Sequence, residues 1–550
     1  MLAGVTVAAY LVPQCMAYAE LAGLPAVAGL WAVLLPLVLY AFVGTSRRLS
    51  IGPESATAIL VASAVAPLAG GDPARYAALA AGLAILVGLV CIAGYVLRLG
   101  FLADLLSRPI LVGYMAGVAV IMIVSQLGRL TGIPLESQGI VDRLRELVNG
   151  IAEVNVPTLV LSAAVLAFLL AARRWLPRLP GPLVAVLGAT IVTAALGLEE
   201  QGVAVVGEIP AGLPTLGLPD ITMSDFAALA LPALGIALIG YTDSILTARA
   251  FAAKSKDEGE EIDATQELLA VGVGNLGAGV SQGFAISASG SRSAIIETTG
   301  GRTQVVGVVA AGVVIAVLLV LRDVLSLFPT AALGAIVVFA ALRLIEWAEF
   351  RRLEAFRSAE LGLALAAFGG VILGGVLVGV VVAVGLSVLD LLARVARPHD
   401  AVLGRVPGLA GLHNVDDFAD AKTLPGLVVY RYDAPLCFAN AHDFHDRALA
   451  AVDSEPTPVE WFLLNAEAII DIDLTAADAL RDLKGDLEDQ GVVFAMARVK
   501  QDLRERLARA GVLDVVGESL IFPTLPTALE AFEARDRRSD PMSVTVGEGV

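Results

Sequence analysis

The chain has 550 residues, and its 54 acidic and 37 basic side chains leave a net charge of −17, which argues against a nucleic-acid binder because phosphate contacts need clustered Lys and Arg. Hydrophobic residues make up 57% and charged ones 17%, with mean hydropathy +0.80, against about 45–50% apolar and 25% charged in a soluble globular domain. The balance disfavours an ordinary soluble enzyme, and Cys15, Cys91 and Cys437 are too few and too scattered for a disulfide framework or a zinc site.

Charge divides the chain. Residues 1–395 carry 27 acids and 22 bases, and the much shorter stretch 396–550 carries 27 and 15. All four histidines (His399, His413, His442, His445) lie in the second part, so none serves as a proton relay in the first. At about 20 apolar residues per membrane span, long runs fall near 24–43, 76–97, 109–127, 157–172, 181–197, 226–248, 303–321 and 361–393. Runs at 2–19, 53–68, 265–280, 287–298 and 330–345 are shorter or broken by Gly and Pro. The expectation is a polytopic α-helical membrane domain over 1–395 with about fourteen segments, some of them half-helices. It falls into halves at roughly 1–200 and 220–395. A linker over 396–425, a small α/β domain over 426–536 and a disordered tail over 537–550 follow. Residues 1–20 lack the basic n-region of a cleavable signal peptide. Threaded from a cytoplasmic N-terminus, seventeen Lys and Arg fall inside and five outside, which the positive-inside rule supports and which leaves the C-terminal domain in the cytoplasm.

One basic residue fits neither side. Arg292 lies in Ser287-Ala-Ser-Gly-Ser-Arg-Ser293, a small-residue stretch opening an apparent helix. Ser50-Ile-Gly-Pro-Glu-Ser55 opens another short run in the corresponding place of the first half. Paired interrupted segments of this kind point to a transporter's substrate site. Their helix N-termini would meet near the midplane, where free N–H groups and dipoles attract an anion, and an intramembrane charge is functional by default. The competing reading is tight helix crossing by small residues.

Further residues carry a family likeness. Gly4-Val-Thr-Val-Ala-Ala-Tyr-Leu-Val-Pro-Gln-Cys-Met-Ala-Tyr-Ala-Glu-Leu-Ala-Gly-Leu-Pro25, Ile51-Gly-Pro53, Asp243-Ser-Ile-Leu-Thr-Ala-Arg-Ala-Phe-Ala-Ala253, Glu261–Ala270 and Ser291–Gln304 resemble, in order, the sulfate permease (SulP) family of anion transporters, which includes prestin and sodium-coupled bicarbonate members. The resemblance implies a seven-plus-seven inverted repeat with core and gate domains, a cytoplasmic STAS domain, a homodimer in the cell membrane, and elevator-type transport of sulfate or another inorganic or carboxylate anion. Carried over, it places the anion among Gln14, Tyr18, Glu54, Ser289, Gly290, Ser291 and Arg292. Gln and Ser supply neutral donors, and Arg supplies positive potential that cannot be titrated away. For Tyr18 interhelical packing is the alternative. Relatives carry a cytoplasmic segment before the first span, so a shortened start is expected.

Coupling is left open between H+ and Na+, with no other cofactor expected. Asp243 and Thr247, four apart, share a helix face and, with backbone near Ser287, suit a sodium ion; Asp243 equally pairs with Arg292 or carries a proton. Glu54 departs from the family pattern. Burial and a neighbouring anion favour its neutral form, which makes it the expected proton carrier, against the simpler role of capping its helix. Channel-like conduction, uncoupled exchange, a non-transporting sensor and a nucleobase permease are the competing classes. The acidic run Asp257–Glu261 reads as a solvated turn.

In the second part Leu427–Tyr432, Val459–Leu464 and Val492–Ala497 read as strands, and 441–452, 475–489, 500–510 and 525–535 as helices. Asn465–Ala479 resembles the central loop and helix of STAS domains, with Leu474 where a phosphorylatable Ser is expected after Asp473. Thr475 is the remaining regulatory candidate and an ordinary N-cap. His442 and His445 read as exposed helix residues rather than metal ligands.

Overall fold

Proline and glycine punctuate the apolar runs, and the helices obey them. In the computed structural model, which describes residues 1–101, 107–135, 137, 139–176, 179–210, 212–254 and 261–539, the first unit spans Met1–Ser387. Its first half comprises α1 (Leu2–Leu21), α2 (Ala26–Val43), β1 (Ile51–Gly52), α3 (Ser55–Ala69), α4 (Pro73–Val96), α5 (Arg108–Thr131), α6 (Ile140–Asn149), α7 (Val156–Trp175) and α8 (Gly181–Leu196). Pro73, Pro109, Pro157 and Pro182 sit in the first turns of α4, α5, α7 and α8, where a missing N–H costs nothing. Left-handed Gly70, Gly132 and Gly197 close α3, α5 and α8, as C-cap glycines do. The short α6 buries none of its residues.

The second half repeats the plan with α9 (Met223–Lys254), α10 (Ala264–Val280), β2 (Ser287–Ala288), α11 (Gly290–Thr298), α12 (Val305–Val320), α13 (Arg322–Ser326), α14 (Thr330–Leu344), α15 (Trp347–Phe356) and α16 (Ser358–Ala396). Gly375, at φ +80°, breaks α16 into two helices. Leaving aside the short α6, α13 and α15, the described residues supply fourteen helical segments in a seven-plus-seven arrangement. In each half the third segment is a half-helix entered through a two-residue strand. Seven of the described helices are long and apolar enough to cross a membrane.

The second unit, Val388–Val550, is built on a six-stranded sheet of β3 (Asp400–Gly404), β4 (His413–Asn414), β5 (Leu427–Tyr432), β6 (Trp461–Asn465), β7 (Val493–Ala497) and β8 (Ile521–Phe522), in the order β4-β3-β5-β6-β7-β8. The pairs β5–β6, β6–β7 and β7–β8 are parallel, and β3 is antiparallel to both its neighbours. Helices α17 (Ala441–Asp453), α18 (Leu474–Asp489), α19 (Gln501–Arg509), α20 (Val512–Val516) and α21 (Leu525–Ser539) complete it. The central strands bury both faces, one against Phe444, Leu480 and Leu483 and the other against Ala528 and Phe532.

Four expectations are corrected. Residues 396–425 are not a plain linker, because β3 and β4 belong to the sheet. Residues 537–539, expected in the tail, belong to α21, which runs to Ser539, and 540–550 lie outside the described residues. Thr475 is exposed but does not cap α18; Asp473 does, accepting from Ala476 N at 2.9 Å. His442 is 91% exposed, as expected, whereas the largely buried His445 ring reaches Asp486 at 3.0 Å. Of the acidic run 257–261, only Glu261 falls within the described residues.

Candidate functional site

The two interrupted stretches meet. β1 and β2 pair antiparallel, Ile51 opposite Ala288 and Gly52 opposite Ser287, so α3 and α11 start from one shared two-stranded bridge. Ser289 N donates to Ser50 O at 2.9 Å and Ser50 N to Ser293 Oγ at 3.0 Å, which extends the pairing past Ile51. Asn275 on α10 clamps Ile286 through both main-chain groups, at 2.9 and 3.0 Å. Ser244 on α9 accepts from Ala288 N at 3.1 Å. Two residues of strand would not hold alone in water; here the buried Asn275, Ser244 and Ser293 bond to the crossing.

Arg292 is fully buried. It reaches across the bridge, donating from Nη1 to Pro53 O at 2.9 Å and from Nε to Ser50 Oγ at 3.4 Å. Its Nη2 has no hydrogen-bond partner among the described residues, and it is not among the residues lining the chamber described next. The guanidinium lies behind the tips, joins them, and lends positive potential through them. Ser287 is also absent from the residues that line the chamber, and its Oγ accepts from Thr57 Oγ1 at 2.9 Å.

In front of the tips is a chamber of about 210 Å³, room for about seven waters at roughly 30 Å³ each and hence for an oxyanion with part of its hydration shell. Gln14 and Tyr18 of α1, Glu54 and Ser55 of the first tip, Ser289, Gly290 and Ser291 of the second, and Asp243 and Thr247 of α9 all line it. Eight of the residues expected from the sequence are thus brought together. Gln14 is 93% buried, by its 7% exposure, and its amide oxygen has no hydrogen-bond partner among the described residues. A buried amide left open costs about 1–3 kcal/mol, so a ligand is the natural occupant. Because amide oxygen and nitrogen are interchangeable in assignment, the group can turn an N–H toward an anion.

Glu54 is the N-cap of α3. It accepts from Ala56 N at 2.7 Å and from Ser55 Oγ at 2.5 Å, so the capping role weighed against proton carriage is the one its geometry displays. Asp243 lines the same space and accepts no hydrogen bond among the described residues. Sequence reasoning missed Arg343 and Phe339 of α14, which close the chamber opposite the tips. The positive-inside count places Arg343 among the seventeen cytoplasmic cations, and nothing in a linear sequence tells an inward-turned arginine from a snorkelling one.

Residues 1–367 match the sulfate permease family and residues 418–528 the STAS domain. The chain is 56% identical over 534 residues to a probable sulfate transporter of Mycobacterium tuberculosis, covering 97% of this chain and 95% of that one. It is 31% identical to the chloroplastic sulfate transporter 4.1 of Arabidopsis thaliana, covering 96% and 79%. Among solved structures, murine Solute Carrier 26 family member A9 superposes with TM-score 0.90 at 23% identity, covering 97% of this chain and 91% of that one. The transmembrane domain of a cyanobacterial bicarbonate transporter, BicA, superposes with TM-score 0.62 at 25% identity, covering 70% and 96%. With the crossed tips, the open chamber and these matches together, the chain belongs to the sulfate permease family: it is a multi-pass membrane anion transporter with a C-terminal STAS domain, not an enzyme.

Proposed function

We propose that the chain is a secondary active transporter that carries a small oxyanion, sulfate first, together with a proton, by elevator-type movement of the tip-bearing helices past the others. The observation that carries this reading is that Glu54 and Asp243 face the same chamber as the donors of the two tips. Charges about 6 Å apart, the span of such a space, repel by about 3 kcal/mol at an effective dielectric near 20. An anion entering beside two carboxylates meets that cost from each, and a proton on one of them removes that one's share. Between the two, Asp243 is the better carrier. The Glu54 carboxylate is already engaged by Ala56 N and Ser55 Oγ, whereas Asp243 accepts no hydrogen bond among the described residues.

Sulfate is preferred because the relatives that align over nearly the whole chain bear that name. Asp243 and Thr247 share one face of α9 and both reach the chamber, which keeps sodium as the competing coupling ion. The protein is read as a homodimer in the cell membrane, its STAS domain cytoplasmic.

Uptake of radiolabelled sulfate into proteoliposomes, with proton and sodium gradients imposed independently, tests the coupling. The wild-type protein should respond to an inward proton gradient and ignore sodium. Asp243→Asn should abolish the acceleration, and Glu54→Gln, whose amide oxygen still accepts from Ala56 N, should retain it. Proton-driven uptake by Asp243→Asn, or sodium-driven uptake by the wild type, would overturn the proton reading.

A further inference from the structure

A second cavity, of about 200 Å³, adjoins the chamber and shares Gln14, Ser291, Phe339 and Arg343 with it. The rest of its wall is mostly apolar, with Tyr10 and Arg173 as the remaining polar side chains and the first turn of α8 at Gly181 and Pro182. Among the described residues no Asp or Glu lines it. Its electrostatics are therefore the reverse of the chamber's: two guanidinium groups without a carboxylate, next to a space with two carboxylates.

Arg173 ends α7 and Arg343 ends α14. A cation at a helix C-terminus is favoured by the dipole, and that accounts for either arginine alone. It does not account for two helix ends converging on one acid-free cavity. Four other arginines of this unit are paired: Arg48 meets Glu297 at 2.6 Å, Arg75 meets Asp225 at 3.0 Å, Arg108 meets Glu349 at 3.1 Å and Arg129 meets Glu20 at 3.6 Å. Among the described residues Arg173 and Arg343 have no ion-pair partner. The exposed Arg173 and Arg343 thus bring two unpaired forks to one cavity.

We propose that this cavity is a staging site for a divalent oxyanion, held between Arg173 and Arg343 before it passes into the chamber. The class follows from geometry. A planar guanidinium presents paired N–H donors that match two oxygens on one edge of a tetrahedral oxyanion. Two such forks engage two edges of a dianion, while a halide offers no edge and half the charge. Because no carboxylate faces the cavity, the ion loads there without the repulsion it meets further in. Arg343, common to both walls, then accompanies it across the boundary that Phe339, one turn earlier on α14, also lines.

The inference rests on the chamber being the transport site, and the test separates the two. Detergent-purified full-length protein is assayed for radiolabelled sulfate binding with chloride as competitor, and proteoliposomes for uptake, using wild type, Arg173→Gln, Arg173→Lys and Gly290→Val. Arg173 is exposed at a helix end, so its variants should stay monodisperse on gel filtration. Arg173→Gln should weaken sulfate binding and raise the half-saturation for uptake by about tenfold, the scale of one charge-assisted fork, with maximal rate retained and chloride competition unchanged. Arg173→Lys, which restores charge without the fork, should recover only part of the loss. Gly290→Val, which fills the chamber, should stop uptake while sulfate still binds. Wild-type sulfate affinity in Arg173→Gln, or no preference for sulfate over chloride in the wild type, would overturn the staging site. Normal uptake by Gly290→Val would instead overturn the chamber.

Discussion

The first tip, Ile51–Ser55, and the second, Ser287–Arg292, occupy equivalent places in the two halves, and they differ in charge. The first caps its helix with the Glu54 carboxylate; the second caps with the Ser289 hydroxyl, and its helix carries Arg292 back across the bridge to Pro53. The helices diverge as well, since α3 runs fifteen residues with a mostly buried apolar surface and α11 only nine with polar ones. A duplicated backbone plan supplies two sets of free N–H groups at one spot. The side chains then divide the labour: the second half contributes the fixed positive charge and the small open wall, the first contributes a carboxylate.

If that division holds, the single most damaging change is Arg292→Met, similar in bulk but without charge. It removes hydrogen bonds from a charged donor, each worth about 1.5–3 kcal/mol, and with them the cross-link between the tips. Sulfate uptake per unit of folded protein should fall by at least about a hundredfold, the equivalent of two such bonds at the low end. Uptake within about threefold of wild type would show that the positive end of the site is supplied by the backbone dipoles alone.

The glycines sharpen the contrast. Gly52 sits at φ +149°, and a Cβ there would lie 2.8 Å from Val33 Cγ2 and 3.2 Å from Arg292 Nη2. At Gly290 a Cβ would meet nothing within 4 Å, because it projects into the chamber. Gly52→Ala should therefore cost about 1–3 kcal/mol in strain and crowding, read as a lowered midpoint of thermal unfolding and poor yield. Gly290→Ala should leave the midpoint in place and reduce sulfate uptake several-fold. Equal thermal shifts in the two variants would mean the tips are not the asymmetric pair described.

Much of this was legible in the chain. The helices follow from apolar runs cut by Gly and Pro, and the meeting point from two Gly/Ser/Pro-rich interruptions plus one arginine where no arginine belongs. β5, β6 and β7 follow from runs such as Leu427–Tyr432. By contrast β4 and β8 have two residues each and β3 is a five-residue strand at the sheet's margin; segments so short carry no periodicity, so the region before Leu427 read as linker. The site's polarity was hidden for another reason. Whether Arg292 faces a ligand or lies behind the wall, and whether Arg343 turns inward or toward lipid headgroups, is decided by helices more than fifty residues away in sequence.

The smallest effect bears on Glu54. This chain caps several helices with a carboxylate: Asp72 before α4, Asp263 before α10 and Asp473 before α18. Capping by Glu54 is thus an ordinary local device, and only its position on the chamber sets it apart. Asp473 provides the matching case away from any anion. Its carboxylate accepts from Ala476 N at 2.9 Å and Phe438 N at 2.7 Å, and Asp473→Ala should destabilise that corner of the STAS domain by about 1 kcal/mol. Faster hydrogen exchange at the Phe438 and Ala476 amides, with sulfate uptake unchanged, is the expected reading, and Thr475→Ala should alter neither. Glu54→Ala removes the same kind of cap, so any loss of uptake beyond what one cap explains belongs to the chamber. If Glu54→Ala and Asp473→Ala alter their own helices equally and both leave uptake intact, the first tip's carboxylate is a cap and nothing more.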